Sequence, residues 1–122
     1  MKSLAPALTV TAMLFALPAL AQRVVVLQAR TAGELAELCA ANPKAPEGDA
    51  KINFCHGFAQ GAILVEQRHT EGKKLFCFPS PAPTRTATMG EFVNWVRALP
   101  EHSTPSAIDG LFQFLADRYP CK

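Results

Sequence analysis

Four cysteines, three histidines and a few serines and carboxylates are the side chains whose types could do chemistry in this chain. Cys39, Cys55, Cys77 and Cys121 are widely spaced, with no close Cys-x-x-Cys pair of the kind that builds structural zinc sites. His56, His69 and His102 add no ligand spacing, so neither a metal nor any other cofactor is expected. A Cys/His nucleophile would need a free thiolate, which disulfide formation removes. Ser80, Ser103, Ser106, Asp109 and Asp117 are present, but no Gly-x-Ser-x-Gly turn presents a serine as a nucleophile. Glu34 and Glu91 fit as helix-cap partners, while Glu66, Asp109 and Asp117 fit as solvated helix positions. No catalytic residue is assigned, and the chain is read as a binding protein rather than an enzyme.

An even number of cysteines in a small exported domain reads as two disulfides, and the N-terminus supplies the export signal. Residues 3–21 carry no charge, Lys2 precedes them and Ala19-Leu20-Ala21 closes them. That is the layout of a secretory signal cut after Ala21; the alternative is a membrane anchor. With no cysteine near position 22 and no arginine pair ahead of the apolar stretch, lipid anchoring and twin-arginine export are not expected. The reading is thus a signal peptide over 1–21, an N-terminal arm over 22–30 and one helical domain over 31–122, with no membrane association after cleavage. The arm, QRVVVLQAR, is an edge strand or an extended segment. At 122 residues the chain supports one domain. Its net charge of +2 lacks the basic excess of a nucleic-acid binder. A hydrophobic fraction of 49% excludes disorder, and no internal repeat is present.

The elements that must hold the cysteines are four helices. The first is expected from Thr31, whose spacing to Glu34 fits a capping box, with Leu35, Leu38 and Cys39 on one face. Asn42-Pro43 ends it. The second is expected from about Asp49, as its N-cap, to His69. Its stripe is Ile52, Cys55, Phe58, Ala62 and Val65, widened by Ala59 and Ile63. Residues 70–87 hold Pro79, Pro81 and Pro83 and form a long connection. The third helix is expected from Thr88, with Glu91 as its box partner and Met89, Phe92, Val93 and Val96 facing inward. The fourth is expected from Thr104, with Pro105 at its first position and Ile108, Leu111, Phe112, Leu115 and Tyr119 on one side. The result is an all-α, four-helix, disulfide-stapled domain. In an up-and-down arrangement Cys39 and Cys55 lie at one end, and Cys77 and Cys121 at the other. The pairing is therefore expected to be Cys39–Cys55 and Cys77–Cys121. Loop-closure entropy makes these worth about 3 and about 4 kcal/mol.

Gly57 and Gly61 lie four apart inside the second helix, where each costs about 1 kcal/mol relative to Ala. We read the pair as the close approach of another helix of the same domain, with a partner protein as the alternative. Trp95 is read as core or interface.

The ordered set Cys55-His56-Gly57-Phe58-Ala59-Gln60-Gly61, Phe76-Cys77-Phe78-Pro79, Phe92-Val93-Asn94-Trp95-Val96 and Tyr119-Pro120-Cys121 resembles the Rap/Tai-type immunity proteins. The motif positions are Cys55, Gly57, Phe58, Gly61, Pro79, Pro120 and Cys121. The resemblance implies an exported, disulfide-bonded, mostly helical periplasmic protein, often a homodimer. Its implied role is to inhibit a type VI secreted peptidoglycan amidase effector by covering the active site. Contact is expected through the 70–87 connection and the exposed edges of the second and third helices, with Lys73, Lys74, Phe76, Phe78, Arg85 and Trp95 as candidate residues. The competing reading is a general periplasmic helper, chaperone-like and without a dedicated effector.

Overall fold

The computed structural model describes residues 24–70 and 72–122. The signal peptide expected over 1–21 lies outside the described residues, as do Gln22 and Arg23 of the arm. Among the described residues there are four α-helices: α1 (Ala32–Cys39), α2 (Gly48–His69), α3 (Arg85–Ala98) and α4 (Ala107–Arg118). A 3-10 turn, Pro100–Ser103, precedes α4. No strand forms among them, and the arm from Val24 to Ala29 has no regular structure.

α1 packs against each of the other three helices, whereas α2 and α4 touch α3 only sparsely. The core is built around it from Ala32, Leu35 and Ala36 of α1, Cys55 and Ala59 of α2, Met89, Phe92, Val93 and Val96 of α3, and Leu111, Phe114 and Leu115 of α4. Small residues let α1 take this central place. Gly110 of α4 lies so close to Ala32 that a Cβ at position 110 would collide with the Ala32 methyl. Both disulfides pair as the topology requires, Cys39 with Cys55 and Cys77 with Cys121.

Several helix starts differ from the sequence expectation, each for an identifiable reason. At α1 the Thr31 hydroxyl accepts from the Glu34 amide at 3.2 Å, as expected, but the Glu34 carboxylate reaches one residue further back and accepts from the Arg30 amide at 2.7 Å. α2 begins at Gly48, one residue before Asp49, because the 42–48 loop folds back onto the helix start. Glu47 takes the left-handed conformation there (φ 64°) and caps without a side-chain bond. Gly48 is packed against the Asn42 carbonyl, where no larger residue would fit. Asp49 therefore sits in the first turn, favourably placed at the positive end of the helix dipole, instead of capping it.

α3 starts at Arg85, three residues earlier than expected. Thr84 is its cap, accepting from the Ala87 amide at 3.2 Å. Nothing between Pro83 and Thr88 interrupts a helix, so the longer one forms. Thr88 is buried inside it and donates to the Thr84 carbonyl at 3.1 Å, and Glu91 is left for another role. α4 starts after Ser106, not at Thr104. The Pro105 carbonyl is held by the Ala32 amide at 2.9 Å, and the Ala107 amide bonds to the Arg30 carbonyl at 2.9 Å. This short bridge keeps residues 105–106 extended, so Ser106 caps instead and accepts from the Asp109 amide at 3.2 Å.

Two residues assigned to inward stripes face outward. Ile108 lies on the first turn of α4 and is exposed. Val65 of α2 is 59% exposed, and its neighbour Leu64 is 56% exposed. α2 has 22 residues against 8 in α1 and 14 in α3, and its partners cover only one side of it.

Candidate functional site

The Pro-rich connection between α2 and α3 is anchored from within. Phe76 is only 4% exposed, with its ring 5.5 Å from Phe78 and 6.1 Å from Phe112. Phe78 is half-buried, 5.0 Å from the Tyr119 ring. The Cys77 amide donates to the Tyr119 carbonyl at 2.8 Å, beside the Cys77–Cys121 bridge. An open cleft of about 630 Å³ lies over this anchor, walled by Phe78, Pro79, Pro81, Pro83, Tyr119 and Pro120.

Glu91 closes one side of that cleft. Its carboxylate accepts from Arg118 through Nε at 2.8 Å and Nη2 at 3.2 Å, and from the Tyr119 hydroxyl at 3.2 Å. The group ties α3 to the end of α4. The Arg118 guanidinium beside Glu91 holds its carboxyl below the ordinary value of 4.5, against the opposing effect of desolvation. Because the folded-state value is depressed, the associated stability is present above the unfolded value and is lost as pH falls through the folded one. Both partners are substantially exposed, so solvent screens the pair and its contribution to stability is small. We expect Glu91→Gln to unfold at a slightly lower temperature than the wild type at neutral pH, with the gap closing below about pH 4.5. Thermal denaturation followed by circular dichroism at stepped pH would show the convergence.

A second cluster flanks the first. The Trp95 indole stacks on His102 at a ring distance of 3.7 Å, and its Nε1–H donates to Asp117 at 3.3 Å. His102 donates from Nδ1 to the Trp95 carbonyl at 2.6 Å. Trp95 is thus half-buried, held on one face by His102 and at its ring edge by Asp117, at the edge of the core. Glu91 and Arg118 border both this surface and the Pro-rich cleft.

The six candidate contact residues do not form one patch. Lys73, Lys74 and Arg85 are exposed, Phe78 and Trp95 are half-buried, and Phe76 belongs to the core, where it is inaccessible to a partner without unfolding. The motif residues also divide. Cys55 is buried and Phe58 half-buried, the latter stacked on Phe54 at 6.3 Å. Pro79, Pro120 and Cys121 gather at the second disulfide. Gly57 and Gly61 do not meet a neighbouring helix: a Cβ at either position would find nothing within 4 Å. Two residues on from Cys55 is more than half a turn, which points both glycines away from the core. The close-approach expectation is therefore wrong within this chain. The missed signal was charge. From Ile52 to Val65 no Asp, Glu, Lys or Arg occurs, although an exposed helix normally carries charged residues on its outer face.

No group of three or more His, Cys, Asp or Glu residues among the described ones could hold a metal ion. No described helix is long and apolar enough to cross a membrane. The surface is one of clefts and exposed helix faces around a stapled core, and these can recognise a protein. A family model, that of the Rap1a immunity proteins, matches residues 31–121. The chain belongs to the Rap1a immunity protein family. The match begins at the cap of α1 and ends at the last cysteine, so it spans all four described helices and both disulfides of this Rap1a protein. Searches among curated proteins and among solved structures returned no match.

Proposed function

We propose that this Rap1a family member is a periplasmic immunity protein that binds a secreted peptidoglycan amidase and blocks its active site, without turnover of its own. The observation that carries the reading is the family match over the whole stapled helical domain. Family membership supports immunity in general; the amidase as target, export by cleavage after Ala21 and pairing of two copies are the finer parts of the proposal. The contact region on this reading is the rim of the Pro-rich cleft between the connection and the end of α4, with Lys73, Lys74, Arg85 and Trp95 as separate candidate positions outside it. A stapled scaffold suits such a role, because a surface held before binding loses less conformational entropy when it docks.

The test is inhibition. Purified oxidised protein is titrated against a type VI peptidoglycan amidase encoded beside its own gene, and release of peptide from purified cell wall is followed. A sharp end point at a fixed molar ratio is the expected result. Undiminished release with the protein in large excess would remove the amidase as target.

A further inference from the structure

We propose that the Cys77–Cys121 bridge is a thiol-exchange site. A dithiol reductant attacks it at Cys121 and frees the rim of the Pro-rich cleft, while Cys39–Cys55 and the helical core stay intact. The inference adds regulation to the cleft, and its bearing on inhibition rests on the proposed function.

The two bridges stand in opposite surroundings. Cys39 is the last residue of α1, and Cys55 lies inside α2. Cys55 is fully buried, and Cys39 is half-buried against the core. Cys77 and Cys121 both lie in segments without regular structure, the first half-buried and the second exposed. Cys77 also lines the open cleft of about 630 Å³. Access to the sulfur is one of the factors that set the rate of exchange.

The departing sulfur widens the difference. In exchange a thiolate attacks one sulfur and expels the other as a thiolate. Attack on Cys39, the more open sulfur of its bridge, would expel Cys55 as an anion inside the apolar core, where an unpaired charge is costly. Attack on Cys121 instead expels Cys77, at a cleft that Arg118 and Lys122 also line. Neighbouring cations stabilise a thiolate. Glu91 lines the same cleft, but its carboxylate is already held by Arg118 and the Tyr119 hydroxyl. Lys122 makes no ion pair among the described residues.

The reaction balances. One thiolate of the dithiol bonds to Cys121 Sγ as the bond to Cys77 breaks, and Cys77 takes up a proton. The second thiol loses its proton and attacks the reductant's own sulfur in this mixed disulfide. Cys121 leaves and is protonated in turn. The protein bridge has gained two electrons and two protons, and the dithiol, now an internal disulfide, has lost as many.

Non-covalent links alone then hold the connection. Phe76 is deeply buried and stays packed beside Phe112, so the helices keep their core. Phe78 and the prolines beyond it remain joined to the end of α4 through the Tyr119 ring and the bond from the Cys77 amide to the Tyr119 carbonyl. The cleft wall loosens while the helices do not.

Oxidised protein at neutral pH is exposed to dithiothreitol, a small dithiol, or to reduced thioredoxin, a protein one. Free thiols are trapped with N-ethylmaleimide at intervals and located by peptide mass spectrometry. Cys77 and Cys121 should be labelled at least about tenfold faster than Cys39 and Cys55. The helical circular-dichroism signal should persist when that pair is complete. Reaction with dithiothreitol alone would assign the site to small dithiols, and reaction with both would extend it to proteins; either supports the proposal. Labelling of all four together, earlier labelling of Cys39 and Cys55, no labelling short of denaturation, or loss of the helical signal with the first pair would overturn it. Inhibition is measured on the unlabelled double variant Cys77→Ser with Cys121→Ser, which should be at least about tenfold weaker against the amidase than the oxidised parent. A variant as potent as the parent would overturn the link between bridge and inhibition. No inhibition by either would overturn the proposed function and leave the exchange site standing.

Discussion

Replacing Cys77 and Cys121 together by serine should lower the stability of the domain by about 4 kcal/mol and shift its urea midpoint more than any other pair of surface substitutions. The bridge closes a span of 44 residues, so its removal frees a large loop in the unfolded chain. A domain of this size has about 5–15 kcal/mol of net stability, which makes the bridge a major fraction of the whole. The folded state loses as well: the bond pins Phe76 and Phe78 against Phe112 and Tyr119, next to the backbone bond from Cys77 to Tyr119. Cys39–Cys55 closes only 16 residues and should contribute about 3 kcal/mol by the same argument. Cys55 is fully buried, so alanine is the fair replacement there, since a serine hydroxyl in that core would add an unrelated penalty. Urea titrations of the two double variants and the oxidised parent would establish the order. Equal losses from both would show that loop length does not govern the effect.

The second large effect is expected at Phe92. It is completely buried on α3, with its ring edge-on to Phe114 of α4 at 5.6 Å. Phe92→Ala should cost about 3–5 kcal/mol, combining lost transfer energy with a cavity that the rigid surroundings cannot fill. Collapse is resisted from two sides: Cys39–Cys55 ties α1 to α2, and α1 already touches α4 at Ala32 and Gly110. Phe112 is the control. It is half-buried at the rim, so its truncation should cost clearly less. Trp95 lies 6.0 Å from Phe114 and is the single tryptophan, so its fluorescence reports unfolding of this region directly. A loss at Phe92 no larger than that at Phe112 would contradict the placement of the core.

The helical class, the disulfide pairing and the inward face of α3 were legible because each rests on one dominant signal. Met89, Phe92, Val93 and Val96 recur at helical spacing and all are buried. Helix starts were less legible because several threonines and serines compete as caps. Thr84 displaced Thr88 because nothing between them breaks a helix, whereas Ser106 displaced Thr104 through residues distant in sequence, the hold of Ala32 on Pro105 and of Arg30 on Ala107. Glu91, freed from a capping role by the earlier start of α3, instead bonds to Arg118, 27 residues on. At the candidate surface the connection was recognisable from its prolines, but the burial of Phe76 was not. An aromatic residue in a loop looks the same in sequence whether it anchors the loop or presents it. The outer face of α2 was misread because Gly57 and Gly61 signal close approach without saying from which side.

The central position of α1 constrains the order in which the chain can be assembled. Eight residues make a helix about 12 Å long, too short to persist alone. Its N-terminus is completed by Pro105, and its Ala32 packs on Gly110. A ribosome delivers α1 before any other helix of the domain and α4 after all of them. The first helix to emerge must therefore wait, unformed, for the last. Completion of the helix at the centre of the core is thereby tied to the arrival of the helix at the end of the chain.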